Sequence, residues 1–348
     1  MPELDVNSEF KALKRFSKKI GSDPLQVQGA GGNTSIKIDH TLWIKASGTW
    51  LMNAQSTNLF VPVTLNPLLT ALREQDPRAQ KSTAFVLEDH NPDGLRPSIE
   101  TTVHAVFTQK VVAHTHCVDT IALAVQINAE QQLSQLLNGY DWLWVPYAKP
   151  GIQLSSYIKQ HMTSNTNVVI LGNHGLIVAA DTVAETETLM LSVRAALHQA
   201  HSYPDVVNYD QLSEYCRGSN YLPAPDERTH AIALNPDSIK IAENGSLYPD
   251  HVIFLGDGSI VAGKQESLDD VISRVRRQTG NDPLSILVPE QGVLMKSDAT
   301  PGQHAMARCI TEVTARLIPS ADIHYLTAQN VYELLNWEAE HYRQSLET

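Results

Sequence analysis

The 348-residue chain is poor in cysteine, in basic residues and in long apolar runs, and each shortage argues against a class of protein. Its three cysteines, Cys117, Cys216 and Cys309, are far apart and odd in number, so they predict buried free thiols instead of a disulfide framework or a CxxC zinc site. A formal net charge of −12 leaves no basic stripe of the kind that binds nucleic acid. No apolar run approaches the roughly 20 residues of a membrane span, and residues 1–7 lack the order of a signal peptide. We therefore expect a cytoplasmic protein without a nucleic-acid or membrane partner.

The residues that are present predict two folded units. Apolar residues make up 42% of the chain, which is ample for a large domain with a smaller one beside it. The composition shifts at residues 222–226, where two prolines predict a linker. We accordingly expect one domain over residues 1–221 and a C-terminal extension over residues 222–348.

Hydrophobic spacing predicts an alternation of helices and strands. Helices are predicted at residues 8–20, 66–75, 99–108, 121–127, 133–137, 152–161, 183–201, 267–278 and 328–344. Strands are predicted at residues 34–38, 42–46, 111–118, 143–146, 168–171, 176–179, 251–255 and 285–288.

Three histidines form the clearest candidate site. Strand alternation puts His114 and His116 on one face, about 6.5–7 Å apart along the chain, where two imidazoles can converge on one cation. His174 lies beside glycines at the end of another apolar strand, where it can approach a metal from a cleft. Taken singly, each histidine could equally be a core, surface or turn residue. Together they predict a metal site.

Glu100 is the fourth candidate. It falls in the first turn of the helix predicted at residues 99–108, which Ser98 can cap and which leads into the His114 strand. A carboxylate there could be a metal ligand, a general base, or a residue that complements the helix dipole. His104, one turn later on the same face, is expected to be structural.

Five short segments occur in an order that resembles the class II aldolase/adducin family, over roughly residues 25 to 200. They are Gly32-Asn33-Thr34-Ser35, Lys45-Ala46-Ser47-Gly48, Pro97-Ser98-Ile99-Glu100, His114-Thr115-His116 and Asn173-His174-Gly175. The chain is most similar to the rhamnulose-1-phosphate and fuculose-1-phosphate aldolase type. The resemblance implies an α/β fold of three layers, α/β/α, around a central and mostly antiparallel sheet, with a smaller α/β region added at the C-terminus.

The resemblance also implies roles for single residues. His114, His116 and His174 match the ligands of Zn2+ or another divalent transition metal, and Glu100 matches the catalytic acid/base. The positions that hold a substrate phosphate are matched by Gly32, Asn33, Ser47, Gly48 and Ser98. Family members commonly form tetramers with active sites near subunit interfaces. One departure is Ile99, which stands where the family often has a second serine and removes one hydroxyl donor from the phosphate site.

The predicted function is a metal-dependent lyase that reversibly cleaves the aldol bond of a ketose phosphate or related hydroxy-ketone through a zinc-stabilised enediolate. An epimerase, dehydratase or decarboxylase of the same fold remains open, as does a non-catalytic adducin-like interaction module. A metallohydrolase is disfavoured because no HExxH motif is present. The C-terminal region could cover the active site or build the oligomer. Its Asp250-His251 and Gln303-His304 pairs could form a second polar site, but we favour the interpretation that they are core or surface residues.

Overall fold

The computed structural model describes residues 6–201, 203 and 207–346. The strands in this part of the chain are β1 Asn33–Ile38, β2 Thr41–Lys45, β3 Phe60–Thr64, β4 Val111–Thr115, β5 Trp142–Val145, β6 Val168–Leu171, β7 Gly175–Ala180, β8 Tyr221–Pro223, β9 Ser285–Val288 and β10 Gly292–Lys296. The α-helices are α1 Val6–Gly21, α2 Leu65–Arg73, α3 Thr101–Val106, α4 Val118–Ala124, α5 Ala129–Leu136, α6 Ile152–His161, α7 Val183–Leu197, α8 Tyr209–Tyr215, α9 Ala231–Leu234, α10 Pro236–Glu243, α11 Pro249–Leu255, α12 Leu268–Thr279, α13 Pro301–Thr314, α14 Ala328–Leu335 and α15 Glu338–Ser345.

A seven-stranded sheet in the order β3-β2-β1-β4-β7-β6-β5 forms the larger unit. Its neighbouring strands are antiparallel except for the parallel pair β5 and β6. Strand β4 is at the centre, paired on both sides, and all five of its residues are buried. A run of β-branched and small residues suits such a position, because both faces of the strand pack against other layers.

Helices cover both faces of this sheet, and the alternation of side chains along β4 shows how. Val111 and Ala113 pack in a cluster with residues of α1 and α7, whereas Val112 packs in another cluster with residues of α3 and α6. Because successive side chains of a strand point to opposite faces, β4 contributes residues to both apolar layers. The predicted three-layer α/β/α architecture with a mostly antiparallel sheet is confirmed.

The smaller unit contains an antiparallel sheet in the order β8-β10-β9, which confirms the C-terminal α/β region. Helix α12 packs on it through Leu268 and Val271. Leu212 and Cys216, which precede residue 222, belong to the same apolar cluster. The predicted boundary at residues 221 and 222 would cut β8, so we propose that the C-terminal unit begins at α8.

The two units share a core along α4. Val118 and Ile121 of this helix pack in one cluster with Val252 of α11 and Ile310 of α13. Beside the cluster, the buried Arg316 donates a hydrogen bond of 2.8 Å to Asp119. Apolar packing and a buried ion pair therefore join the C-terminal region to the larger unit.

Some sequence-based element assignments were wrong. The strand predicted at residues 251–255 is part of helix α11, in which Pro249 occupies the first turn. Its four apolar residues are consecutive, three of them buried and Leu255 partly buried, so the run carries no periodicity that separates a strand from a helix. The strand predicted at residues 111–118 ends at Thr115, and the helix predicted at residues 328–344 is broken between Leu335 and Glu338.

The helix that precedes β4 also begins later than predicted. It starts at Thr101, not at residue 99, because the Ser98 carbonyl and side chain bond to the first residues of the turn. The three cysteines are buried and unpaired, as predicted. Among the described helices, none is both long enough and apolar enough to cross a membrane.

Candidate metal centre

The three predicted histidines meet where β4 ends and β7 begins. His114 lies within β4, between Asn33 of β1 and Ile177 of β7, and His116 follows just beyond the end of the strand. His174 occupies the tight turn between β6 and β7, after Asn173 in the left-handed region at φ 53°. Pairing of β4 with β7 therefore brings residues distant in sequence to one edge of the sheet.

The imidazole nitrogens are close enough to bind one ion. Across the three rings, one nitrogen from each lies within 4.8 Å of the others, and Nε2 of His114 is 3.1 Å from Nε2 of His116. A tetrahedral zinc with bonds of about 2.0–2.1 Å separates its ligand atoms by roughly 3.4 Å. The observed spacing fits such an ion with small ring movements.

Oxygen atoms that approach the far side of two rings indicate which nitrogen carries the proton. His114 Nδ1 lies 3.0 Å from the carbonyl oxygen of Leu176, and His116 Nδ1 lies 3.0 Å from Asp250 Oδ2. Both partners are acceptors, so each Nδ1 is the donor and each Nε2 presents a lone pair. Two lone pairs facing each other at 3.1 Å repel unless a cation lies between them. This arrangement fits a divalent metal.

The protonation of these imidazoles also suits a ligand role. Burial lowers the pKa of His174 to about 3, against the opposing charge of Glu100, and it lowers the pKa of His114 in the same way. Both rings are therefore neutral at pH 7, as metal ligands must be. Neutral ligands leave the full charge of a bound cation available to a substrate.

Glu100 faces the histidines from the residue before α3, which corrects its predicted place in the first turn. Its Oε2 is 3.5 Å from His114 Nε2 and its Oε1 is 3.7 Å from His174 Nε2. Burial raises the pKa of this carboxyl, but the positive charge that the three histidines carry when they are protonated, together with a 2.8 Å hydrogen bond from Asn33, lowers it to about 2. Glu100 is consequently a carboxylate at neutral pH. Its Oε1 has no hydrogen-bond partner within the part of the chain that the structure describes.

A cavity with an empty volume of about 430 Å³ opens beside these groups. Ile99, Glu100, His116 and His174 line this cavity. All five residues that were predicted to hold a phosphate also line it, namely Gly32, Asn33, Ser47, Gly48 and Ser98. We call the five the anion site. Leu346 covers the Gly48 side, since a Cβ atom on Gly48 would lie 2.5 Å from Leu346 Cδ1.

His104 supports the anion site from behind. It is fully buried, with Nδ1 2.7 Å from Ser35 Oγ and Nε2 hydrogen-bonded to Asn33 Oδ1. This orients the Asn33 amide so that its nitrogen donates both to Glu100 and to Ser98 Oγ. These contacts agree with the structural role expected for His104.

Sequence reasoning gave no site role to four charged residues of the cavity. They are Lys45, Asp250, Glu340 and Arg343. Lys45 Nζ donates to the carbonyl oxygen of Ala30 at 2.7 Å, and Arg343 donates to Asp250 Oδ1 at 2.8 Å. Lys45 could have been found, because it is the first residue of the Lys45-Ala46-Ser47-Gly48 segment, and the interpretation of Asp250 as a core or surface residue is corrected by its place in the cavity. Nothing in the sequence links the other three to the histidines, from which they are far removed along the chain. His251, beside Asp250, is a core residue.

Parts of the chain are similar to known proteins. A curated relative from Bacillus subtilis (strain 168), named "Uncharacterized oxidoreductase YuxG", is 28% identical over 232 residues, covering 62% of this chain and 32% of the relative. The chain thus spans about a third of that relative's length. The N-terminal class II aldolase domain of a conserved protein from Thermoplasma acidophilum matches with a TM-score of 0.49 and 23% identity, covering 57% of this chain and 95% of that one. The L-fuculose-1-phosphate aldolase from Thermus thermophilus matches with a TM-score of 0.39 and 13% identity, covering 55% of this chain and 91% of that one.

The family assignment comes from the match of a sequence model. The model described as "Class II Aldolase and Adducin N-terminal domain" matches residues 17–201. That span includes the three histidines, Glu100 and the anion site. Since the match extends over more than half of the 348 residues, the chain belongs to the class II aldolase and adducin family.

Proposed function

We propose that this protein is a metal-dependent aldolase that reversibly cleaves a carbon–carbon bond in a ketose phosphate or related hydroxy-ketone. The observation that carries the proposal is the convergence of His114, His116 and His174, with neutral rings at His114 and His174, beside a cavity that is lined by two of them and by the Glu100 carboxylate. A zinc-type cation held there supplies a Lewis acid that polarises a substrate carbonyl and stabilises developing negative charge.

Glu100 is proposed as the acid/base. It is ionised at neutral pH, and its Oε1 faces the cavity without a hydrogen-bond partner among the described residues, while Asn33 holds Oε2. The carboxylate is therefore placed to accept a proton from a substrate hydroxyl as the carbon–carbon bond breaks. It then returns a proton to the carbon fragment.

The anion site is proposed to bind the end of the substrate remote from the reacting bond. The hydroxyl groups of Ser47 and Ser98 offer polar hydrogens, and the turns at Gly32 and Gly48 bring backbone close to the cavity. The Asn33 amide lies beside them, with its two hydrogens donated to Glu100 and Ser98. Ile99 supplies no hydroxyl, and Leu346 covers one side. A phosphate would therefore have to contact the Asn33 and Ser98 side, or displace Leu346.

An epimerase, dehydratase or decarboxylase remains the alternative, because the same metal and carboxylate can serve each reaction. An adducin-like interaction module without catalysis is disfavoured, since this chain retains every metal-binding histidine and Glu100. We also propose a homo-oligomer, with a tetramer as the expected form, which light scattering of the purified protein would measure.

The test is elemental analysis of the purified protein beside the variant His114→Ala/His116→Ala. We expect about one zinc per wild-type chain, and none in a variant whose circular dichroism is unchanged. Wild-type protein would then be given ketose phosphates, and release of dihydroxyacetone phosphate, pyruvate or carbon dioxide would distinguish the reactions. A wild-type protein that holds no metal after zinc is added would overturn the proposal and favour the interaction module.

A further inference from the structure

Three buried polar side chains in successive contact, His116, Asp250 and Arg343, connect the candidate metal centre to the C-terminal unit. Asp250 Oδ2 is 3.0 Å from His116 Nδ1, and Asp250 Oδ1 accepts a 2.8 Å hydrogen bond from Arg343. All three side chains are at most 8% exposed. Asp250 lies in the first turn of α11 and Arg343 lies in α15, both outside the residues that the family model matches.

The close approach of these groups is permitted by a glycine. A Cβ atom on Gly31 would lie 2.8 Å from His116 Nδ1 and 3.0 Å from Asp250 Oδ2. The first distance is shorter than real Cβ contacts and the second is tighter than most, so any side chain at residue 31 would push His116 and Asp250 from their present positions.

Contacts of this kind can fix the orientation of a histidine that binds a metal. A histidine that binds a metal through one nitrogen is fixed in tautomer and ring orientation by the acceptor on its other nitrogen. A buried carboxylate in that place is costly unless a cation compensates it. Arg343 supplies the positive charge for Asp250 and is itself held by Glu340, at 3.3 and 3.4 Å from its two oxygens.

We propose that Asp250 and Arg343 are positioning residues of the metal centre, with Asp250 orienting His116 and Arg343 orienting Asp250. The proposal rests on the proposed function, because it requires that His116 binds a metal. The C-terminal unit then completes the metal centre within the same chain.

His114 provides an internal contrast. Its Nδ1 bonds to the backbone carbonyl of Leu176 in the neighbouring strand, so its orientation does not depend on the C-terminal unit. Loss of Asp250 should consequently disturb one ligand of three. The expected result is a metal affinity that is weaker by about 10–100-fold, the effect that such partners usually have.

The experiment measures zinc affinity by competition with a chromogenic chelator, using full-length protein stripped of metal. Asp250→Asn should weaken binding about 10–100-fold, and Arg343→Lys should weaken it less, because lysine keeps the charge but not the planar geometry. Asp226→Asn is the matched control: it removes a carboxylate that accepts a 2.8 Å bond from Arg308 in the same unit, away from the cavity. It should bind zinc as the wild type does.

The visible spectrum of the cobalt-substituted protein gives a second readout, because it reports ligand geometry without turnover. A changed spectrum in Asp250→Asn, with the Asp226→Asn spectrum unchanged, would support the positioning role. If Asp250→Asn does not fold, Arg343→Lys carries the same test alone. Wild-type binding of zinc, with equal affinity and spectrum in both site variants, would overturn this inference and leave the proposed function intact. Failure of the wild type to bind zinc or cobalt would instead overturn the proposed function and this inference with it.

Discussion

The two units contribute to the candidate site in different ways. Residues 17–201 provide the groups that would touch a metal or substrate: three imidazoles, the Glu100 carboxylate and the anion site. The C-terminal unit provides groups that hold the His116 ring and the turn of His174 in place, through Asp250 against His116 and through carbonyl groups that accept from Asn173. The reacting groups come from short segments of strand and turn, whereas part of their support comes from residues far away in the chain.

The support of the His174 turn depends on Asn173. Its Nδ2 donates to the carbonyl oxygens of Leu247 at 2.8 Å and His324 at 2.6 Å, and its Oδ1 is 3.0 Å from His324 Nδ1. One side chain of the larger unit thus makes its bonds to two segments of the smaller unit. The segments that carry His116 and His174, which both lie outside β4, therefore contact the C-terminal unit.

The largest effect is expected within the larger unit, at Glu100. Glu100→Gln keeps the shape and the hydrogen bond from Asn33 but removes the base, so turnover should fall about 10²–10⁴-fold. Bound zinc, measured by elemental analysis, should stay at the wild-type ratio, because the three histidines remain. Loss of zinc from this variant would identify Glu100 as a metal ligand, the other role that its distances allow.

The next largest effect is expected on the free energy of unfolding, when the buried ion pair between the two units is broken. Arg316→Met removes the cation that faces Asp119 and Glu312 in a buried cluster, and it should lower the free energy of unfolding by about 3–5 kcal/mol. Lys19→Ala, which breaks an exposed pair with Glu187, is the control and should cost no more than about 1 kcal/mol. Urea unfolding followed by circular dichroism measures both. Separate transitions for the two units, in place of one, would show that they fold independently.

The smallest effect is expected at Asn173, where two variants distinguish the contribution of the side-chain hydrogen bonds from that of the backbone conformation. Asn173→Gly keeps the left-handed conformation but leaves two carbonyl oxygens without their donor, which should cost about 1–3 kcal/mol in urea unfolding. Asn173→Ala should cost about 1 kcal/mol more, because alanine disfavours a positive φ. Asn165→Gly, on an exposed turn, is the control. Equal stability of the glycine variant and the wild type would mean that these bonds to the smaller unit contribute nothing.

Sequence alone predicted much of the larger unit because its signals are local. The spacing of His114 and His116 in a strand, and the order of the five segments, indicated both the sheet and the candidate ligands. The start of α3 was predicted two residues too early, which put Glu100 inside the helix and not directly before it, because the hydrogen bonds of Ser98 delay the start of the helix. Such a shift of one or two residues depends on cap geometry that the residue types do not specify.

The C-terminal unit was less predictable for a different reason. Helix α11 was taken for a strand because a short and continuous apolar run has no periodicity. Asp250 was interpreted as a core or surface residue and Arg343 was not considered, because their partners lie in other elements and a charged residue that will be buried looks in sequence like any surface charge. Only the packing of α11 and α15 against the cavity distinguishes them.

The contact between His116 and Asp250 has a thermodynamic consequence. A cation that binds the folded site and not the unfolded chain stabilises the native state by mass action, by about 2.7 kcal/mol at a free concentration one hundred times its dissociation constant. Because the site is built with residues of both units, and α4 joins their cores, that stabilisation extends to the C-terminal sheet. Resistance of β8, β9 and β10 to heat would then depend on an ion that none of these strands binds.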